Sequence, residues 1–130
     1  RNPWSRMVSN WVYFTSNKLR IHQMKLSGHD LSKYFKFKDF VRLSVSFNNH
    51  HWQPQHLFLG SNLDYIGKVE NLNQDWFNVC KELNLSNLPV KKVNTTNHKH
   101  YTEYYDDETR EIVAEKYAKD IEYFGYKFGE

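Results

Sequence analysis

Apolar side chains recur every three or four residues in several stretches of this chain, and that spacing predicts a largely helical fold. The helices predicted in this way run from about Pro3 to Ser16, from Lys38 to Phe47, from Asn71 or Asn73 to about Leu83, and from near Asp107 to Gly125. Asp30 is expected to cap a further short helix that ends at Lys36. One short stretch, Asp64 to Val69, is aromatic and β-branched and predicts a strand.

The remaining segments are polar or carry turn residues. The stretch from Asn17 to His29 ends in Ser-Gly-His and is expected to be a loop. The chain has 130 residues with no internal repeat and no linker, which predicts a single domain over residues 1–130. The helix that ends near Leu83 is expected to bury the face formed by Trp76, Phe77, Val79, Cys80 and Leu83.

The first nine residues, Arg1-Asn2-Pro3-Trp4-Ser5-Arg6-Met7-Val8-Ser9, suit the binding of a phosphate group. Proline is tolerated at the first helical position, and a helix N-terminus offers backbone N–H groups and partial positive charge to an anion. Arg1 adds a bidentate donor and Ser9 a hydroxyl. The same pattern also occurs as plain helix capping, so these residues alone leave both interpretations open.

Composition limits the partners and the compartment. A net charge of +3 suits an anionic ligand but is too small to indicate nucleic acid. The single cysteine, Cys80, excludes an internal disulfide and a multi-cysteine zinc site, and its helical setting predicts a buried thiol. A chain without disulfides favours a reducing compartment. No apolar run approaches the length of a membrane span, so no membrane segment is expected.

Other candidate sites have an ordinary structural explanation. The clustered histidines, His50, His51 and His56, are not spaced to converge on a metal ion, so no metal is expected. The acidic run Asp106-Asp107-Glu108 is expected to cap a helix rather than to catalyse a reaction. The basic and aromatic stretch from Lys91 to Tyr101 could hold an anion or stack a nucleic-acid base, or it could be a solvated loop.

Five blocks in this order resemble the C-terminal half of the Golgi-type carbohydrate sulfotransferases and their microbial relatives. The blocks are Arg1 to Ser9, Phe37 to Val41, His51 to Gln55, Asp64 to Leu72, and Tyr117 to Tyr126. Val93-Asn94-Thr95-Thr96 is a weaker sixth block. Together the blocks span nearly the whole chain.

The resemblance implies a P-loop-like α/β sulfotransferase fold, of which this chain supplies a mostly helical C-terminal part with little sheet. It also implies transfer of a sulfuryl group from 3′-phosphoadenosine 5′-phosphosulfate (PAPS) to a hydroxyl of a carbohydrate. Arg1 and Ser9 match the residues that bind the 3′-phosphate of the nucleotide. Asn94, Lys99 and Tyr101 fall in a loop that the family places near the nucleotide.

The chain departs from the family in two respects. The 5′-phosphosulfate loop, a strand followed by a turn rich in Lys, Gly, Ser and Thr, has no counterpart in this sequence. We therefore expect either the C-terminal portion of a longer enzyme or a non-catalytic remnant that binds an anionic ligand. Secretory members carry several cysteines, so the lone Cys80 favours a cytoplasmic microbial or viral relative, with the Golgi lumen as the expectation for a eukaryotic one.

The reaction also needs a group that accepts the proton of the hydroxyl. His51 is a candidate base because neutral imidazole is available near pH 7. In the sulfotransferases that the chain resembles, the base often lies upstream of the arginine block, so the alternative is that His51 and Trp52 only shape the acceptor side or the core.

Overall fold

Helices form the regular structure of this computed structural model, which describes residues 1–26, 28, 30–34, 36–86, 89–90 and 98–130. The α-helices are α1 (Pro3–Thr15), α2 (Lys18–Leu26), α3 (Phe37–Ser46), α4 (Leu72–Glu82), α5 (Asp107–Lys116) and α6 (Ala118–Phe124). Short 3₁₀ helices cover Leu31–Lys33, Gln55–Phe58, Val69–Asn71 and Tyr101–Tyr104. The expectation of a mostly helical chain is confirmed, and the described residues contain no strand.

The chain divides into two compact units. The first unit consists of residue 1 and residues 59–95, and the second of residues 2–58 and 96–130. Helix α4 and the 3₁₀ turn before it belong to the first unit, and the other described helices belong to the second.

Helix α1 begins where the sequence predicts, with Pro3 in its first turn. Asn2 caps it, because the Asn2 side-chain oxygen accepts hydrogen bonds from the backbone N–H groups of Trp4 at 3.1 Å and of Ser5 at 3.4 Å. This cap agrees with the capping interpretation of the first nine residues, since two amides of the helix N-terminus are already bonded. Asparagine is among the strongest capping residues, so the signal was present in the sequence.

The core of the second unit surrounds Trp52, whose side chain is fully buried. Phe14, Phe40 and Phe47 contact the indole edge-on, at ring-centre distances of 5.7, 5.5 and 5.0 Å. The indole N–H donates to the carbonyl of Phe47 at 3.1 Å, and the Tyr117 hydroxyl donates to the carbonyl of Trp52 at 2.6 Å. The indole N–H and the carbonyl of this buried residue are therefore both satisfied.

Helix α3 confirms the helix predicted from Lys38 to Phe47, and it packs against α5. Asp106 caps α5 by accepting a hydrogen bond from the Thr109 N–H at 2.8 Å, and the Thr109 hydroxyl accepts from the Asp106 N–H at 3.0 Å. Lys38 adds ion pairs to Asp106 at 3.0 Å and to Glu108 at 2.7 Å. The bonds from Thr109 and then Lys38 hold the pKa of Asp106 well below its usual range. The acidic run therefore caps a helix, as predicted.

The predicted helix from Asp107 to Gly125 is interrupted at Tyr117. Its backbone angles, φ −111° and ψ 24°, are not helical, so α5 ends there and α6 begins. The break lets the Tyr117 side chain lie in the core, where it is 2% exposed. The predicted stop at Gly125 is confirmed by its left-handed φ of 67°.

The segment predicted to be a loop between Asn17 and His29 instead contains α2. The Asn17 side chain caps this helix by accepting from the Leu19 N–H at 2.9 Å. The Arg20 guanidinium lies over the Tyr13 ring of α1, 3.1 Å from its centre. Met24 is the buried residue of α2, so the helix has no broad apolar face that the sequence could reveal. The short helix predicted after Asp30 is a 3₁₀ turn, with Asp30 as its cap.

In the first unit, the residues predicted to form a strand do not form one. Asp75 of α4 binds this segment, accepting from the Lys68 N–H at 2.6 Å and from the Tyr65 hydroxyl at 2.9 Å. The described residues offer this segment no partner strand, and it is bonded to α4 instead.

Helix α4 runs close to its predicted bounds, but its apolar face is buried less than expected. Cys80 is 1% exposed, whereas Phe77 is 44% and Leu83 is 61% exposed. The 3₁₀ turn Val69–Asn71 leads directly into α4, and Phe77 and Leu83 stay exposed. In the part of the chain that the structure describes, no helix combines the length and apolarity needed to cross a membrane.

Replacing Tyr117 with phenylalanine is expected to lower the free energy of unfolding by about 1–3 kcal/mol, because the carbonyl of Trp52 then stays buried without its donor. Urea denaturation measures the change. Tyr123→Phe removes the same atom from a side chain that is 64% exposed and should leave the midpoint unchanged. Equal midpoints for both variants would contradict the role assigned to the Tyr117 hydroxyl.

Candidate active site

The segment that begins at His51 is fastened to helix α1 by side chains one turn apart. The Arg6 guanidinium donates to the carbonyls of Gln53 at 2.6 Å and His51 at 2.8 Å. The Asn10 amide also donates to the His51 carbonyl, at 2.8 Å. Positions four residues apart share one helix face, so α1 presents both donors to the same stretch of backbone. The sequence alone gave Arg6 no role, and only its place in the first block hinted at one.

The His51 ring, the candidate base, lies among aromatic and cationic groups. Its centre is 4.8 Å from that of Phe14 and 3.9 Å from that of His50. Burial lowers the pKa of His51, and the charges of His50, Arg6 and Arg20 lower it further. The ring is therefore neutral at pH 7, as a proton acceptor must be, but its surroundings disfavour the imidazolium that would form. The role of His51 as the base stays a prediction.

The other end of this segment is held by Asp120 of α6, whose side chain is fully buried. Its carboxylate accepts hydrogen bonds from the Gln55 N–H at 2.6 Å, from the His56 N–H at 2.9 Å and from the His56 ring Nδ1 at 2.6 Å. Burial alone would raise the pKa of Asp120, but the bonds from His56 and Gln55 outweigh it, and the pKa is lowered. An ionised carboxylate is thus built into the second unit.

The pairing of Asp120 with His56 was not predicted from the sequence. The two residues are 64 positions apart, and no local spacing relates them. The one sequence feature that could have linked them is that the blocks His51 to Gln55 and Tyr117 to Tyr126 belong to the same family pattern.

The two residues predicted to bind the 3′-phosphate fall in different units. Arg1 belongs to the first unit and is half-buried. Burial lowers the pKa of Arg1, and the charge of Glu70 opposes that shift. Ser9 is a half-buried residue of α1 in the second unit. Their joint role in binding a phosphate stays a prediction.

The loop predicted to approach the nucleotide is described from residue 98 onward, so Asn94 lies outside the described residues. The Lys99 side chain is 73% exposed and pairs with Glu103 at 3.4 Å. The Tyr101 side chain is buried, and its hydroxyl accepts from the Gly129 N–H at 2.7 Å and donates to the Glu130 carbonyl at 3.1 Å. Tyr101 therefore fastens the C-terminal residues to this loop, while Lys99 extends into solvent.

Side chains that could bind a metal ion are described in residues 1–26, 28, 30–34, 36–86, 89–90 and 98–130. Within these ranges, no group of three or more His, Cys, Asp and Glu side chains is arranged to hold a metal ion.

Comparison with known proteins identifies the class. The model of the sulfotransferase family matches residues 1–127, nearly the whole chain. The chain therefore belongs to the sulfotransferase family, and the resemblance read from the sequence blocks is confirmed at that level. Membership implies a transferase with a nucleotide donor and an acceptor substrate. The search of curated proteins and the search of solved structures each found no match.

Asp120 should make the stability of the chain depend on pH. Its pKa is lower in the folded chain than the value near 3.9 expected when unfolded, so its stabilising effect is complete above about pH 4 and is lost as the pH falls through the folded value. We expect Asp120→Asn to lower the free energy of unfolding by about 1–3 kcal/mol at pH 7 and to flatten its decline in acid.

Urea titrations between neutral and acidic pH measure both effects. Glu111→Gln, which changes an exposed carboxylate, is the control and should follow the wild-type curve. An Asp120→Asn curve parallel to that of the wild type would contradict the prediction.

Proposed function

We propose that this protein is a sulfotransferase that moves the sulfuryl group of PAPS to a hydroxyl, with a carbohydrate as the acceptor. The observation that carries the proposal is the family match over residues 1–127. The order of the sequence blocks from Arg1 to Tyr126 supports the carbohydrate-type branch.

For the donor we propose Arg1 and Ser9 as ligands of the 3′-phosphate, and the loop of Asn94, Lys99 and Tyr101 as the wall beside the nucleotide. Guanidinium and hydroxyl groups are strong phosphate donors. With the α1 amides capped by Asn2, side chains rather than the helix end would carry this binding. The exposed Lys99 ammonium supports a direct contact, and the buried Tyr101 supports a positioning role.

For the transfer step we propose in-line displacement at sulfur, by analogy with phosphoryl transfer, in which positioning and charge stabilisation supply most of the catalysis. The acceptor hydroxyl must lose a proton during this step. The segment fixed between Arg6 and Asp120 carries two imidazoles, His51 and His56, and we place the acceptor hydroxyl beside this segment.

A second candidate function is a non-catalytic module that binds an anionic ligand. The observation that favours it is that the 130 residues contain no Gly-x-x-x-x-Gly-Lys motif for the 5′-phosphosulfate. Incubation with radiolabelled PAPS and a panel of unsulfated oligosaccharides separates the two. Label in the oligosaccharide fraction supports the enzyme, and nucleotide binding without transfer supports the module.

Arg1→Ala is expected to weaken binding of adenosine 3′,5′-bisphosphate more than about tenfold, because a charged hydrogen bond contributes about 1.5–3 kcal/mol and about 1.4 kcal/mol corresponds to a factor of ten. Titration calorimetry measures the dissociation constant. Lys18→Ala, which removes the same charge from an exposed position on α2, should leave it unchanged. Equal affinities for wild type and Arg1→Ala would remove Arg1 from the proposed site.

A further inference from the structure

The contact between His56 and Asp120 fixes the protonation pattern of the imidazole. Nδ1 of His56 lies 2.6 Å from a carboxylate oxygen of Asp120. An ionised carboxylate only accepts hydrogen bonds, so Nδ1 must carry the proton that is shared between them. In the neutral ring the lone pair then resides on Nε2. The neutral ring of His56 is thereby held in one of its two tautomers.

The ring is also held in place. Its own backbone N–H donates to the same oxygen of Asp120 at 2.9 Å, and the Gln55 N–H donates to the other oxygen at 2.6 Å. The carboxylate is fully buried, whereas the His56 side chain is 25% exposed. Because Nδ1 faces the buried group, we infer that the exposed part of the ring is the edge that bears Nε2.

The two imidazoles of this segment experience opposite charges. His51 lies among His50, Arg6 and Arg20, whose positive charge would oppose an added proton. His56 instead lies against the carboxylate of Asp120, with its Nδ1 2.6 Å from one carboxylate oxygen. A carboxylate that orients a histidine and stabilises its cation is the arrangement that general-base catalysis uses.

We propose that Nε2 of His56 accepts the proton of the acceptor hydroxyl, and that Asp120 acts as its positioning residue. This inference rests on the proposed sulfotransfer. In the step, the hydroxyl proton moves to Nε2 while the hydroxyl oxygen bonds to sulfur. The bond from sulfur to the 5′-phosphate oxygen breaks, and its electron pair leaves with adenosine 3′,5′-bisphosphate. The imidazolium then releases its proton to solvent.

The protonation pattern can be tested without turnover. ¹⁵N NMR of the imidazole nitrogens at alkaline pH, where imidazole is neutral, should show His56 with its proton on Nδ1. Asp120→Asn should reduce the population of that tautomer. A wild-type His56 protonated mainly on Nε2 would overturn the inference.

The catalytic role is tested with matched variants of both histidines, His51→Gln and His56→Gln, using radiolabelled PAPS and the panel of unsulfated oligosaccharides. We expect His56→Gln to lower kcat by about 100-fold or more, the range typical of general bases, and to bind adenosine 3′,5′-bisphosphate with unchanged affinity. His51→Gln should affect kcat far less. In His56→Gly, added imidazole should restore part of kcat, which a purely structural role of His56 would not allow.

The outcomes separate this inference from the proposed function. A His56→Gln variant that keeps wild-type kcat overturns the role of His56 and leaves the sulfotransferase proposal standing. Loss of kcat in His51→Gln alone would transfer the role to His51. A wild-type chain that binds adenosine 3′,5′-bisphosphate but sulfates none of the panel overturns the proposed enzyme activity, and the role of His56 with it.

Discussion

The burial of the Trp52 indole is the constraint on which the second unit depends. A fully buried tryptophan must find partners for its polar groups inside the protein, and Phe47 and Tyr117 supply them. Through these two bonds, Trp52 connects Phe47 at the end of α3 with Tyr117 at the start of α6. On either side of the buried Trp52, the carbonyls of His51 and Gln53 accept hydrogen bonds from the Arg6 guanidinium. Packing of one aromatic side chain thus determines where the polar segment runs.

The segment from His51 to His56 is held at its two ends by residues of opposite charge. At one end the anchor is the cation Arg6, and at the other it is the buried anion Asp120. The electrostatic environment therefore changes sign between His51 and His56, which are five residues apart. Two side chains of identical composition are thereby placed in different surroundings, His51 beside cationic groups and His56 against a carboxylate.

The sequence was most informative where an element's own residues decide its structure. The bounds of α1 and α3 agree with the apolar spacing, because each of these helices buries one face. Helix α2 was missed because it buries Met24 rather than a whole apolar face, and the strand predicted at residues 64–69 was wrong because Asp75 binds that segment instead. The pairing of His56 with Asp120 depends on tertiary contacts across 64 residues, and periodicity carries no information about such distances.

Because α6 begins just after the interruption at Tyr117, the number of residues between Tyr117 and Asp120 sets the direction in which the Asp120 carboxylate points. Each residue added to a helix rotates the rest of that helix by about 100°. A single codon inserted between Tyr117 and Asp120 would therefore turn the carboxylate away from the amides of Gln55 and His56. An insertion or deletion at this junction would therefore break the bonds of Asp120, even though Ala118 and Lys119 are exposed. Among relatives, this stretch should keep a constant number of residues while its surface composition varies.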